Sequence, residues 1–172
     1  MKIKTALVLC AGFGKRVQPI TDDVPKPLIF YKNITLLENT LNFLIKLKIE
    51  KVKINVFYLK EKIIEFINKK KFPIKIEVIE DGETILGTGG GTLNLINSSD
   101  EPDVLVINPD TIWNTSYVEP VDKMEKIYFE KKIKNILLVV NNSLCFDKRY
   151  NGDFEIKNNI FYKEKINNFK YT

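Results

Sequence analysis

The 172 residues, with 27 Lys+Arg against 22 Asp+Glu and 44% hydrophobic content, suit one compact domain and argue against both disorder and a two-domain chain. There is no histidine and there are only two cysteines, Cys10 and Cys145, which excludes Ser-His-Asp chemistry, His-ligated zinc and a disulfide framework and leaves carboxylate, lysine, arginine and backbone chemistry. The net charge of +5 is spread as lysine, with only Arg16 and Arg149 as arginines, and the apolar runs are too short for a membrane span, so the expectation is a soluble, cytoplasmic protein with neither nucleic acid nor membrane as partner.

Lys4 to Cys10 is a short apolar run that ends in a glycine loop, which predicts a buried parallel strand. A polar, proline-marked loop follows. Thr35-Leu36-Leu37-Glu38 matches a capping box and predicts a helix over about 35–48, with Leu37, Leu41 and Leu44 inward and Leu36, Phe43 and Leu47 widening the face. Lys51 to Leu59 reads as a strand, Glu61 to Lys69 as a helix with Ile63, Ile64 and Ile67 inward, and Ile74 to Ile79 as a strand. Asp81 to Gly91 reads as a glycine-rich loop, Thr92 to Asn97 as a short helix, Val104 to Asn108 as a buried strand and Val121 to Lys131 as an amphipathic helix. Ile136 to Asn141 is expected to be a further buried strand. Phe154-Glu155-Ile156 and Ile160-Phe161-Tyr162 around Asn158-Asn159 are expected to form a hairpin. The order βαβαβ predicts an α/β domain with a mostly parallel, mixed sheet and helices on both faces.

The loop after the first strand runs Ala11-Gly12-Phe13-Gly14-Lys15-Arg16-Val17 and closes at Pro25-Lys26-Pro27-Leu28. Glycines at a strand's carboxyl end let backbone amides approach phosphate, and Lys15, Arg16 and Lys26 add charge, in outline a triphosphate cradle. A Rossmann loop would need glycine where Val17 stands, and a Walker loop would need Gly-Lys-Ser/Thr, so both usual nucleotide motifs fail. Two prolines hold the backbone of Lys26 stiffly, which suits a catalytic cation, although Pro-Lys-Pro taken alone favours a proline-rich surface loop with a solvated lysine. Arg16 is an arginine in a chain that otherwise prefers lysine, placed where a forked donor can grip phosphate oxygens.

Leu9-x-Ala11-Gly12-x-Gly14-x-Arg16-x-x-Pro19-Ile20-Thr21 followed by Pro25-Lys26-Pro27-Leu28 resembles the signature of the sugar-1-phosphate nucleotidyltransferases, most closely the N-acetylmuramate-1-phosphate uridylyltransferases and mannose-1-phosphate guanylyltransferase-like proteins. Three later segments fit the resemblance in order: Glu83-Thr84-Ile85-Leu86-Gly87-Thr88-Gly89-Gly90-Gly91, Asn108-Pro109-Asp110 with proline where the family has glycine, and Asn141-Asn142 with Gly152-Asp153-Phe154. The resemblance implies a Rossmann-like, GT-A-like single domain over 1–172 that lacks the family's C-terminal end. It also implies transfer of a nucleotidyl group from a nucleoside triphosphate to a sugar 1-phosphate.

By the same resemblance Arg16 and Lys26 are catalytic, and Ala11, Gly12, Gly14, Lys15, Arg16, Thr88, Gly89 and Gly90 bind nucleotide. Asn141, Gly152 and Asp153 face the sugar phosphate, and Asp110 holds Mg2+. The alternatives are a regulatory nucleotide-binding protein of the same fold without turnover, and a dinucleotide-binding domain, against which Val17 argues. Base, sugar and oligomeric state are not set by these residues, with uridine weakly preferred over guanosine.

Overall fold

The first apolar run forms strand β1 (Thr5–Leu9), in which every side chain from Thr5 to Val8 is at most 1% exposed. Successive strand residues face opposite sides of a sheet, so burying both sets requires cover on both faces. In this computed structural model, which describes residues 2–144, 155–157 and 160–162, β1 lies between β4 (Lys51–Val56) and β6 (Val104–Ile107), with β5 (Lys75–Glu80) beyond β4. All three pairings are parallel, in the order β5-β4-β1-β6, and the register sets Leu9 beside Asn55 and Val8 beside Ile107. This is the expected α/β architecture. The chain steps outward from β1 through β4 to β5 and then returns to the far side of β1 as β6, so the sheet's switch point lies at the carboxyl ends of β1 and β6. Open α/β sheets bind ligands at such a point.

Helices α2 (Leu36–Lys46), α3 (Lys60–Lys70) and α4 (Gly87–Asn97) connect these strands and bury Leu37, Leu41, Leu44, Ile63 and Leu95 completely. The Thr35 hydroxyl accepts from Glu38 N–H at 3.1 Å, as the capping box predicts. Its other half is redirected, because the Glu38 carboxylate pairs with Lys70 at 2.8 Å. The loop between β1 and α2 is more structured than its polar sequence suggests, holding a one-turn helix α1 (Ile20–Asp23) and the ribbon β2 (Phe30–Tyr31) and β3 (Ile34–Thr35).

Three expectations fail. The strand expected to Leu59 ends at Val56, and Leu59, with φ +48°, instead leads into α3. The loop expected to run to Gly91 ends early, because α4 starts at Gly87 and its first turn is built from the glycines themselves. Packing overrides propensity there: a Cβ on Gly91 would stand 2.6 Å from Asn55 Nδ2, so only bare backbone lets α4 close on the sheet. Finally, Ile136 to Val140 forms no strand, and Leu137 is half exposed. An apolar run supplies side chains suited to a ladder but not the partner that makes one.

The chain divides into two compact units, Met1–Glu125 and Lys126–Thr172. Helix α5 spans Val118–Lys131, three residues longer at its start than the periodicity suggests. In the second unit, β7 (Glu155–Lys157) and β8 (Ile160–Tyr162) pair antiparallel with Lys157 opposite Ile160, the expected hairpin. No helix among the described residues is long and apolar enough to cross a membrane.

Candidate active site

Beyond Leu9 the backbone of β1 leaves its ladder and enters the glycine loop. Gly14 takes φ +68°, a conformation that strains any side chain, and a Cβ there would meet Thr21 Cγ2 at 2.7 Å. The same Thr21, itself buried, donates its hydroxyl to the Gly14 carbonyl at 3.0 Å, and Val17 N–H closes a tight turn on that carbonyl at 2.8 Å. The Tyr58 hydroxyl reaches the Thr21 and Asp22 carbonyls at 2.9 and 3.1 Å. The loop is therefore pinned from below while Lys15 and Arg16, in that turn, stay exposed. Arg16 forms no ion pair among the described residues.

The proline bracket around Lys26 builds a second tight turn, with Leu28 N–H on the Pro25 carbonyl at 2.8 Å and Pro27 buried. From this mount Lys26 forms an ion pair with Asp110, which follows β6 on the other side of the switch point. The segment that follows Asp110 is held in turn by α2. Asn39 bonds the Trp113 backbone twice, donating to its carbonyl at 2.9 Å and accepting its N–H at 2.8 Å. The Trp113 ring stacks on Phe43 at 5.1 Å and 7°, and its indole N–H donates to the Asn108 carbonyl at 3.2 Å.

These pieces line one cleft of about 720 Å³ at the carboxyl ends of the strands. Of the expected site residues it brings together Ala11, Gly12, Gly14, Lys15, Arg16, Lys26, Thr88 and Asp110. Gly89 and Gly90 lie in the first turn of α4 but do not line it. Asn141 belongs to the second unit, where its Oδ1 accepts from Ser143 N–H at 2.9 Å, a turn geometry. Gly152 and Asp153 lie outside the described residues.

Asn55, at the end of β4, lines the same cleft and had no signature in the sequence beyond being a polar residue inside an apolar run. Its Oδ1 accepts Cys10 N–H at 2.9 Å, and its Nδ2 donates to the buried carboxylate of Asp81 at 3.0 and 3.1 Å. Cys10 is buried at the cleft floor; burial, and secondarily the Asp110 carboxylate, push its thiol far above the ordinary range. It is therefore a packing residue, not a nucleophile. Among the described residues Asp110 is the only carboxylate on the lining, and no group of three or more His, Cys, Asp or Glu stands ready to hold a metal. Such a site suits a hard cation that takes one protein oxygen and finds the rest on phosphates and water.

Residues 5–144 match the nucleotidyl transferase family. The chain is 38% identical over 126 residues to the bifunctional protein GlmU of Methanococcus maripaludis, covering 73% of this chain and 29% of that protein. It is 28% identical over 153 residues to the N-acetylmuramate alpha-1-phosphate uridylyltransferase of Caulobacter vibrioides, covering 87% of this chain and 63% of that protein. It thus spans under two thirds of the length of either relative. The fold is similar to that of HddC from Yersinia pseudotuberculosis, with TM-score 0.71 at 21% identity, over 98% of this chain and 73% of that one.

Proposed function

The chain belongs to the nucleotidyl transferase family, and from that premise we propose that it transfers a nucleotidyl group from a nucleoside triphosphate, with UTP the first candidate, to a sugar 1-phosphate. The observation that carries the reading is the single cleft in which bare loop backbone, Lys15, Arg16, Lys26 and Asp110 converge at the sheet's switch point. The choice of UTP rests on the Caulobacter relative, a uridylyltransferase.

In the reaction an oxygen of the sugar phosphate attacks the α-phosphorus, the bond from that phosphorus to the bridging oxygen breaks, and pyrophosphate leaves. A phosphate monoester has a second pKa of about 6 and is largely dianionic near neutrality, so the nucleophile needs no general base and the lack of histidine is no handicap. What the protein must supply is position and positive charge. Loop amides with Lys15 and Arg16 bind the β and γ phosphates. Lys26 exchanges Asp110 for the α-phosphoryl oxygens, where charge concentrates as the bonds change. Asp110, released from Lys26, is the residue that would hold Mg2+, which would supply positive charge against the phosphates. Asn141, Gly152 and Asp153 are assigned to the sugar phosphate on the family's pattern alone.

The test is pyrophosphate release from UTP, GTP, CTP, ATP and dTTP in turn, each with magnesium and a panel of sugar 1-phosphates. Release that requires both substrates is expected. A protein that binds triphosphate yet releases no pyrophosphate with any sugar phosphate refutes the transferase reading.

A further inference from the structure

Asp81 is 6% exposed, and its carboxylate meets no cation among the described residues. Its partners are amides: Asn55 Nδ2 at 3.0 and 3.1 Å, and Asn94 Nδ2 at 3.2 Å from α4. Burying an ionised group among neutral donors costs free energy, so the arrangement asks for a reason. One lies in what a carboxylate forbids. An ionised Asp81 only accepts hydrogen bonds, so the Asn55 amide can present nothing but its NH2 to it, and its carbonyl oxygen is thereby turned to Cys10 N–H. That bond sits one residue past the Leu9–Asn55 register pair, the last of the β1 and β4 ladder. A side-chain carbonyl thus supplies the rung at which the backbone turns into the glycine loop. The same amide is the surface on which Gly91 closes, its absent Cβ 2.6 Å from Asn55 Nδ2. Both walls of the cleft, the loop after β1 and the start of α4, are therefore referenced to one amide.

We propose that Asn55, locked in one orientation by Asp81, is a positioning residue that sets the glycine loop against the start of α4 and so sets the affinity for the nucleotide. The proposal rests on the nucleotide-binding reading above. Asp81 does not line the cleft; it reaches the cleft through Asn55, which does, and also touches α4 through Asn94. The substitution Asp81→Asn keeps the side chain's size but lets position 81 donate as well as accept, so the orientation of Asn55 is no longer dictated.

Two measurements on folded protein, well below its unfolding temperature, decide the matter: calorimetric affinity for UTP with magnesium, and hydrogen exchange of the Cys10 amide. In Asp81→Asn the affinity is expected to fall about five-fold or more and the Cys10 amide to exchange about ten-fold faster, the scale of one lost or misaligned buried hydrogen bond. Faster exchange with unchanged affinity overturns the proposal, because the network is then a stabilising feature only. Unchanged exchange overturns it equally. If the wild type binds no triphosphate, the nucleotide reading fails by itself, while the exchange rate still decides whether Asp81 orders the loop. Should Asp81→Asn not fold, Asn94→Ala removes one donor to Asp81 from outside the cleft, together with a bond to the Glu80 carbonyl, and is read in the same two ways, with a loss of about two-fold expected.

Discussion

Lys26 and Asp110 form an ion pair, and that single contact orders the expectations for both. A partly exposed ion pair contributes only about 0.2–1 kcal/mol to folding, so substitutions here report on binding and not on stability. Asp110→Asn removes a negative charge from an anion cleft and frees Lys26. Without magnesium this variant should bind UTP at least as tightly as wild type, whereas the gain in affinity on adding magnesium should shrink; calorimetry with EDTA and then with magnesium checks both signs. An undiminished magnesium gain makes Asp110 a structural turn residue. Lys26→Met works in the opposite direction, losing a cation and exposing the carboxylate, and its loss should be greater in turnover than in affinity if the ammonium acts at the α-phosphorus. Cys10 offers a test of the cleft floor. In a Cys145→Ser background, iodoacetamide at pH 8 should leave Cys10 unmodified in the native protein and modify it after unfolding, since burial keeps the thiol protonated. Labelling of the native protein at the unfolded rate would mean that the floor is open to solvent.

Among the elements, α4 shows why spacing in the sequence reads some features and not others. The loop after β1 is legible because Gly12, Gly14, Lys15, Arg16 and Lys26 are types that phosphate chemistry requires, and they are close together in the chain. Helix α4 defeats the same reasoning: a glycine inside a helix costs about 1 kcal/mol relative to alanine, so four of them read as loop. At Gly91 what offsets the cost is contact with Asn55, 36 residues earlier and invisible to local patterning. The Asn39 clamp on Trp113 is hidden in the same way, by a separation of 74 residues. Cross-strand charge is another nonlocal feature. Glu77 sits opposite Lys53 in the β4 and β5 register and bonds both Lys75 at 2.7 Å and the buried Lys53 at 2.9 Å. These hydrogen bonds, that from Lys75 first and that from Lys53 second, lower its carboxyl from an ordinary 4.5 to about 2. A depressed carboxyl pKa stabilises the fold above the unfolded value and ceases to do so as pH falls through the folded value. Glu77→Gln should therefore lower the denaturation midpoint at pH 7, and the gap between variant and wild type should close between pH 4.5 and about 2. A gap of constant size across that range would show that the charge on Glu77 contributes nothing.

At the scale of the molecule, the order β5-β4-β1-β6 puts the two most informative segments, the glycine loop and Asn108-Pro109-Asp110, on adjacent strands although about a hundred residues separate them. The βαβ order makes a parallel sheet expected; the side of β1 on which β6 falls is decided by packing. The whole fold should then respond to nucleotide, because a ligand that binds only the native state stabilises it by mass action. At about 100 times its dissociation constant UTP with magnesium should add about 2.7 kcal/mol, or roughly 5–10 °C in Tm for a chain of this size. The source of that rise can be separated by salt. Contacts between phosphates and the exposed Lys15 and Arg16 are screened as the Debye length falls from about 10 Å at 0.1 M to about 3 Å at 1 M, whereas contacts to the base are not. The rise at fixed UTP should therefore shrink in 1 M KCl, and Arg16→Ala should show a smaller rise at low salt and a weaker dependence on salt. A rise in Arg16→Ala equal to wild type in size and salt dependence would remove Arg16 from the phosphate cradle, and no rise with any of the five triphosphates would remove the cradle itself.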